Sequence, residues 1–417
     1  MKIVNRNSTR LIMADDNKFK SFKMVISFHT PLGEEYATLN SLLINILKSS
    51  CEKYPSKEEL SLALDGMYGA QVASVAQKAG GHLLPSLTFD FVSSKYADEN
   101  QLKNAFDLAS ELLFRPNLEN GTFRNDIIEI ERENLIRDIQ SLINDKRLYA
   151  LEQCVKHTCG DDEYGKSSRG NIDICRRITA RELYSHYEYM INNCNTSVII
   201  AGDFDISEAE KLSYEFSQKV GHGEKINSEI LSEREEVQYI KESSEITQGK
   251  LVMSFTTGVG ESPLYHAETV LNGIFGGTVS SKLFNVVREK MSLCYYASSK
   301  FDKHKGIIIA QCGIDCENYE KAVQAVQEQM QAVKNGDFTK EEFDNTVSAL
   351  VSSAQMATDG LSELVSFYLS QVVSDEILEP SDLIEKFNSV KREQITELAR
   401  LIKLDTVYFL CGEREGE

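Results

Sequence analysis

The stretch Val252-Met253-Ser254-Phe255-Thr256-Thr257 repeats, in the second half of the chain, the pattern of Val25-Ile26-Ser27-Phe28-His29-Thr30. Both runs are rich in β-branched and aromatic residues, which is typical of strands. The helical pattern that opens at Tyr265 follows the later run, as the helical pattern that opens at Tyr36 follows the earlier one. Because the same order of elements returns, we predict two tandem copies of one domain, each of about 200 residues.

The order of elements within each copy indicates the fold class. Each half runs from a strand into helices, then into neighbouring strands, and then into a long helix. Neighbouring strands with helices gathered around them are typical of an α+β fold with a mostly antiparallel sheet, not of a doubly wound one. We predict an N-terminal domain over 1–222, an acidic linker over 223–246 and a C-terminal domain over 247–417.

Composition limits the classes of function. The chain has 417 residues, 41% of them hydrophobic, and a net charge of −19, which argues against a nucleic-acid-binding or anionic-membrane surface. No run of 18 apolar residues is present, and the N-terminus has no signal-peptide core. Nine cysteines without a disulfide framework are expected of reduced thiols. We therefore expect a cytoplasmic protein with neither nucleic-acid nor membrane partners.

One stretch of the second half has the pattern of a binding element. Phe275-Gly276-Gly277-Thr278-Val279-Ser280-Ser281 is interpreted as a glycine-bearing loop with Ser281 as a helix N-cap. Arg288 falls near the end of the short helix that follows, and Tyr295 opens the next strand. A guanidinium and a phenol can bind a peptide carbonyl and stabilise a tetrahedral oxyanion. The residues alone favour a plainer interpretation, a surface arginine beside Glu289 and a tyrosine packed in the core.

Other chemistries have weaker support. The seven histidines include no pair at helical spacing, the closest two being His157 and His186. Cys154-x-x-His157-x-Cys159 contains zinc-ligand types but no Cys-x-x-Cys pair, and a helix end with free thiols is the alternative. Gly276 to Lys282 lacks the Gly-Lys-Ser/Thr ending of a phosphate-binding loop. The acidic run from Glu129 to Glu133 has the pattern of an ion-paired helix face.

The block Ser281-Lys-Leu-Phe-x-x-Val-Arg288-Glu-Lys-x-x-Leu293-Cys-Tyr295, preceded by Gly276-Gly277, resembles the second-half signature of the pitrilysin/insulinase (inverzincin) zinc metallopeptidase superfamily. The resemblance covers nearly the whole chain. It implies two homologous α+β domains of the LuxS/mitochondrial-processing-peptidase-like metallohydrolase fold, closing around a peptide. In active members the first domain carries an inverted His-x-x-Glu-His motif and a later Glu as zinc ligands, whereas the second supplies an Arg and a Tyr. Arg288 and Tyr295 match that pair, and Gly276 and Gly277 match its substrate-binding glycine loop.

The chain departs from that family at the metal. The zinc motif should fall at Ser41-Leu42-Leu43-Ile44-Asn45, where Ser41, Ile44 and Asn45 cannot bind zinc or move a proton. The region of the third ligand retains Glu129 to Glu133, but a lone carboxylate does not hold zinc. The resemblance therefore implies a catalytically inactive chain that binds no cofactor of its own.

A non-catalytic branch of the superfamily, the YmfF-like proteins, resembles this chain in further details. These are Tyr54-Pro55, Leu64-Asp-Gly-Met-Tyr-Gly-Ala70 and Asp145-Lys-x-x-Tyr149-Ala150. That branch is associated with a zinc-bearing YmfH-like paralogue and with 5-aminopentanol modification of elongation factor P. The expected function is an inactive subunit of a heterodimeric zinc peptidase, with zinc in the partner. Two alternatives stay open: a non-proteolytic scaffold that binds peptides or proteins, and an active metallopeptidase with an atypical metal site.

Overall fold

The computed structural model describes residues 1–6, 8–260, 262 and 264–412. Contacts divide the chain into two compact units. Unit 1 combines three segments, 1–140, 166–227 and 357–377. Unit 2 combines the described residues of 141–165, 228–356 and 378–417.

The strands of unit 1 that form its main sheet are β1 (Lys2–Arg6), β2 (Thr9–Asp15), β3 (Ser21–Pro31), β4 (Gln71–Ala79), β5 (His82–Val92) and β8 (Asn195–Gly202). A small hairpin adds β6 (Leu118–Glu119) and β7 (Thr122–Phe123). The helices are α1 (Glu34–Ser49), α2 (Lys57–Gly66), α3 (Gln101–Phe114), α4 (Asn125–Asn144, in this unit up to residue 140), α6 (Ile172–Arg177), α7 (Ala180–Asn193), α8 (Ile206–Ser217) and α12 (Leu361–Leu369).

The six strands of unit 1 are ordered β1-β2-β8-β3-β5-β4. All neighbours are antiparallel except β2 and β8. Alternation sends Met24 and Ile26 of β3 to one face, where they share a core with α1, α3 and α7. Val25 points to the other face and packs in a second core with Leu364 and Tyr368 of α12. Strand β4 is left at an edge of the sheet.

The strands of unit 2 are β9 (Gln238–Ser243), β10 (Gly249–Thr256), β11 (Cys294–Asp302), β12 (Ile307–Ile314) and β13 (Lys403–Cys411). Its α-helices are α5 (Lys146–Cys159), α9 (Tyr265–Asn272), α10 (Tyr319–Asn335), α11 (Lys340–Met356), α13 (Pro380–Ser389) and α14 (Arg392–Ala399). Two π-helical segments are Gly273–Gly277 and Leu283–Lys290.

The sheet of unit 2 is ordered β11-β12-β10-β13-β9, antiparallel except between β13 and β9. Its core gathers side chains from β10, β12 and β13 with those of the surrounding helices. Each unit is therefore a mostly antiparallel sheet with helices packed on it. This confirms the predicted α+β fold of two similar domains.

The glycine stretch differs from its prediction. Gly273–Gly277 continues α9 as a π-helix with Gly276 buried, so the predicted loop begins only after Gly277 and not at Phe275. The reason is packing: a methyl group on Gly276 would lie 2.6 Å from both Leu283 Cδ1 and Ser299 Oγ. Ser281 does cap the following helical turn, because its hydroxyl accepts a 3.4 Å hydrogen bond from the Phe284 N–H.

Several elements agree with the sequence pattern, and others have no counterpart in it. The sequence Ser56-Lys-Glu-Glu59 has the pattern of a capping box, and α2 does begin with that box, in which Ser56 and Glu59 are partners. Strands β1 and β2 and helix α12 add to the predicted order of elements. Strand β9 arises from the stretch 223–246, for which the sequence predicts a linker. The tandem boundaries themselves stay a prediction, since the compact units are built from interleaved segments.

Among the described residues, no helix is both long enough and apolar enough to cross a bilayer.

Candidate functional site

Helix α1 carries the three positions at which the family motif is lost. Ser41 and Ile44 are buried, and Asn45 is half-buried. The Ser74 hydroxyl of β4 donates a 2.7 Å hydrogen bond to Asn45 Oδ1, which ties this helix to the edge strand. A hydroxyl, a branched alkyl side chain and a hydrogen-bonded amide provide no zinc ligand.

A cavity of about 290 Å³ lies beside Asn45. Its lining combines amide, cationic and anionic side chains, namely Asn45, Lys48, Lys57, Glu131, Asn134, Arg137 and Asp138. Glu131 is 4% exposed. The Lys57 ammonium lies 2.6 Å from Glu131 Oε1, and Asn134 Nδ2 donates a 3.1 Å hydrogen bond to Glu131 Oε2. The buried carboxylate is thus held by one cation and one amide.

Local sequence features fix both members of this ion pair. Lys57 is the first residue of α2, and the capping box holds that helix start: the Glu59 N–H donates to Ser56 Oγ at 3.2 Å. Glu131 lies on the buried side of α4, where the neighbouring Arg132 donates a 2.8 Å hydrogen bond to the Ile178 carbonyl oxygen. Lys57 and Glu131 therefore meet because two separately anchored helices bring them together.

The residues of this cavity do not fit the zinc site that the family resemblance implies. Structural and catalytic zinc sites use at least three His, Cys, Asp or Glu ligands around one point. Among the described residues, no group of three or more such side chains could hold a metal ion. Glu131, the buried carboxylate of the third-ligand region, is instead engaged with Lys57.

Arg288 lies on the second π-helical segment of unit 2. Its guanidinium carbon is 4.5 Å from the centre of the Phe284 ring, and its Nε is 3.5 Å from Glu289 Oε1. The side chain is 38% exposed. A hydrogen bond with Cys312 lowers the pKa of the Cys294 thiol at the start of β11; burial opposes this shift, and the charge of Arg288 adds to it. The guanidinium is thus stacked on the Phe284 ring and lies beside Glu289, and part of the side chain remains exposed.

Tyr295 lies at a bulge in β11, where the pairing with β12 shifts between Cys294 and Tyr296. The bulge turns its side chain outward, and 63% of the residue is exposed. The Tyr295 hydroxyl donates a 3.2 Å hydrogen bond to Asp315 Oδ1, and this bond is the main cause that raises the pKa of the phenol. The phenol therefore keeps its proton and stays a hydrogen-bond donor at neutral pH.

The predicted site residues lie in both units of the chain. Arg288 and Tyr295 lie on consecutive elements of unit 2, each with its own partner. Gly277 is exposed at the end of the first π-helical segment, whereas Gly276 is buried beneath it. The lost zinc motif lies in unit 1, with the cavity at Asn45. The alternative interpretation, in which Tyr295 packs in the core, is wrong, because 63% of that residue is exposed.

Gly276→Ala is expected to destabilise the protein by about 1–3 kcal/mol, the usual range for overpacking a core. The added methyl group would lie 2.6 Å from Leu283 Cδ1 and from Ser299 Oγ. Chemical denaturation measures the change. Gly66→Ala is the matched control, because a methyl group there would meet no atom within 4 Å. A loss equal to that of the control would contradict this account of the π-helical packing.

Sequence reasoning missed two features. Lys57 had no motif to mark it, although its place just after the capping serine was visible. His29 and His82 are far apart in sequence, yet their rings lie 5.4 Å apart, edge to face. Burial, then the charges of His82 and Arg10, lower the pKa of His29 to about 3, so it is neutral near pH 7. Its Nε2 lies 2.9 Å from Ser197 Oγ, which indicates a buried polar contact within the sheet.

Comparison with known proteins agrees with these observations. The family model described as the peptidase M16 inactive domain matches residues 177–350. A probable inactive metalloprotease of Bacillus subtilis (strain 168), YmfF, is 29% identical over 399 residues, which cover 95% of this chain and 94% of that protein. An uncharacterized zinc protease of the same organism, YmxG, is 21% identical, with coverage of 79% and 80%.

Solved structures have the same fold. A conserved protein from Enterococcus faecalis V583 superposes with a TM-score of 0.88 at 27% identity, covering 99% of this chain and 98% of the other. A peptidase M16 inactive domain from Pseudomonas fluorescens superposes with a TM-score of 0.81 at 17% identity, covering 100% and 99%.

Proposed function

We propose that this chain, which is similar to inactive M16-family peptidase homologues, works as the non-catalytic subunit of a heterodimeric zinc peptidase. The partner is a paralogue that bears the His-x-x-Glu-His motif. It brings the zinc, its bound water and the general-base carboxylate. This chain brings Arg288 and Tyr295 to the carbonyl of a peptide substrate.

The contrast between the two predicted sites carries this proposal. At the zinc motif, Ser41 and Ile44 are buried and chemically unsuited to metal or proton transfer. At the second site, Arg288 and Tyr295 keep exposed polar ends. The two side chains that can bind a peptide carbonyl therefore lie exposed on neighbouring elements.

The chemistry of the second site suits an oxyanion. A guanidinium donates several hydrogen bonds in a fixed plane, and a phenol with a raised pKa donates one without ionising. The stacking of Arg288 on Phe284 already restricts the conformations of the arginine side chain. Less conformational entropy is therefore lost when it binds a substrate. The Tyr295 hydroxyl would exchange its hydrogen bond to Asp315 for one to the substrate. Gly277, which is exposed, would lie against the bound peptide.

A second candidate function, a peptide-binding scaffold without hydrolysis, is favoured by the edge strand of unit 1. Strand β4 pairs with β5 on one side only, and its residues from Gln71 to Ala76 alternate between exposed and half-buried. An open edge of this kind can accept an extended peptide as an additional strand. The proposed link to 5-aminopentanol modification of elongation factor P is compatible with either role.

Co-expression with the His-x-x-Glu-His paralogue of the same organism tests the proposal. We expect a stable one-to-one complex that contains one zinc ion per pair and cleaves a quenched fluorescent peptide library. The isolated chain is expected to contain no stoichiometric zinc and to cleave nothing. Metal analysis of the isolated chain addresses the atypical metal site, because one bound zinc per chain would overturn the proposal.

The scaffold alternative gives a different pattern in the same experiment. The isolated chain would bind peptides, as measured by fluorescence anisotropy, and adding the paralogue would produce no hydrolysis beyond that of the paralogue alone. A proline placed in β4, at a position whose N–H faces away from β5, would weaken such peptide binding without breaking the sheet.

A further inference from the structure

We propose that the Lys57 ammonium replaces the metal ion of zinc-bearing relatives as the internal cation that neutralises Glu131. The site has thereby become an ion pair that needs no metal. The inference concerns the stability and metal response of this chain by itself, so it does not depend on the proposed partner. The described residues at the position of the family's zinc site provide no set of zinc ligands.

The first step is that Glu131 needs a cation. It is 4% exposed, and it is among the buried residues of α4, as are Ile128 and Leu135. A buried carboxylate without a compensating charge is strongly destabilising. Asn134 supplies one hydrogen bond, at 3.1 Å, but an amide brings no net charge.

The second step is that Lys57 is the cation that touches it. Its Nζ lies 2.6 Å from Glu131 Oε1, while its own side chain is 59% exposed. The carboxylate is therefore buried and the ammonium remains partly hydrated. This asymmetry favours the pair, because the desolvation cost falls on one member only, and that member also keeps its hydrogen bond from Asn134.

The third step is that the pair occupies the cavity beside the lost motif. Asn45 of the degenerate motif lines the same cavity of about 290 Å³ as Lys57 and Glu131. Asn45 Oδ1 accepts a 2.7 Å hydrogen bond from Ser74 Oγ, so this amide is anchored to β4. The carboxylate on α4 is therefore balanced by a cation of the chain itself, although α1 provides no metal ligand.

The cavity offers an internal control. Lys48 lines it too, from α1, and no ion pair joins Lys48 to Glu131 in the described structure. Substituting either lysine by methionine removes the same charge from the same cavity and keeps a similar length. Any difference between the two substitutions then reports the contact with Glu131 and not the net charge of the surface.

The test is a double-mutant cycle on the full chain, followed by thermal unfolding. Lys57→Met is expected to lower the melting temperature by several degrees, and Lys48→Met by much less. Glu131→Gln, which keeps the shape and removes the charge, is expected to restore most of the loss when combined with Lys57→Met. Equal losses for the two lysine variants, or simple additivity in the double variant, would overturn the proposal.

The response of the melting temperature to zinc and to chelator provides a second test. Excess chelator or added zinc chloride is expected to leave the melting temperature of the unmodified chain unchanged. Lys57→Met is expected to be equally insensitive to added zinc, because the single carboxylate of Glu131 does not hold the ion. A fall in the melting temperature of the unmodified chain on chelation would show that a metal, and not Lys57, balances Glu131.

Discussion

Replacing Arg288 by Ala together with Tyr295 by Phe is expected to lower kcat/KM of the reconstituted peptidase pair by at least about a hundred- to a thousand-fold. Removing one preformed donor from a developing oxyanion typically costs about 3–4 kcal/mol. Both groups are exposed donors, so their loss should leave folding almost unchanged. Steady-state hydrolysis of one fluorescent peptide by the purified pair measures the effect.

Two matched variants test whether the loss of activity is due merely to removing a surface charge or to removing any exposed phenol hydroxyl. Lys290→Ala removes an exposed cation from the same helical segment, and Tyr239→Phe removes the hydroxyl of an exposed tyrosine on β9. Both should retain nearly full activity. If the double variant at 288 and 295 kept the activity of the unmodified pair, these residues would have no part in the reaction. If the double variant bound its partner more weakly, as measured separately, the two residues would act in assembly of the pair and not in catalysis.

Glu268→Gln is expected to stabilise the protein by up to about 3 kcal/mol above pH 7 and by little near pH 4. Glu268 of α9 is 2% exposed, and burial, opposed by a hydrogen bond with Thr257, raises its pKa from 4.5 to about 7. A tenfold change in an acid dissociation constant corresponds to about 1.4 kcal/mol. The unfolded chain therefore releases this proton before the folded chain does, and the contribution of the protonated carboxyl to stability is lost as pH rises from about 4.5 to 7.

The measurement is the free energy of unfolding at several pH values for Glu268→Gln and for the unmodified protein. His266, two residues away, has a pKa lowered to about 4 by burial and, after it, by the charges of Lys386 and Lys303, so its effect has the opposite sign. Because His266 is present in both proteins, the difference between them isolates Glu268. Glu341→Gln, at an exposed position, is the control. A difference that does not vary with pH would contradict the buried, protonated carboxyl.

Parts of the site were predictable because they depend on short-range chemistry. Ser56 and Glu59, three residues apart, have the pattern of a capping box, and the structure contains that box. The lack of zinc ligands at Ser41 to Asn45 is a statement about side-chain types and needs no coordinates. The outward position of Tyr295 was not predictable, since it depends on a bulge against β12 that exists only once the strands pair.

The structure around Gly276 and Gly277 likewise depends on contacts that exist only in the folded protein. A Gly-Gly dipeptide normally marks a turn, which is why the sequence predicts a loop at Gly276 and Gly277. In the folded unit the close approach of Leu283 and Ser299 requires a residue without Cβ, and the chain continues as a π-helix. Local pattern cannot reveal a requirement that arises from a strand some twenty residues further on.

The sequence by itself predicted the duplication and the α+β class, because both depend on periodicity along the chain. The loss of the zinc motif follows from the family resemblance together with the residue types at Ser41, Ile44 and Asn45. Only the tertiary structure decided which cation balances Glu131, that His29 and His82 lie together, and that α12 completes unit 1 from the far end of the chain. Those are contacts between residues distant in sequence. Their free energies depend on burial and separation, which no linear pattern encodes.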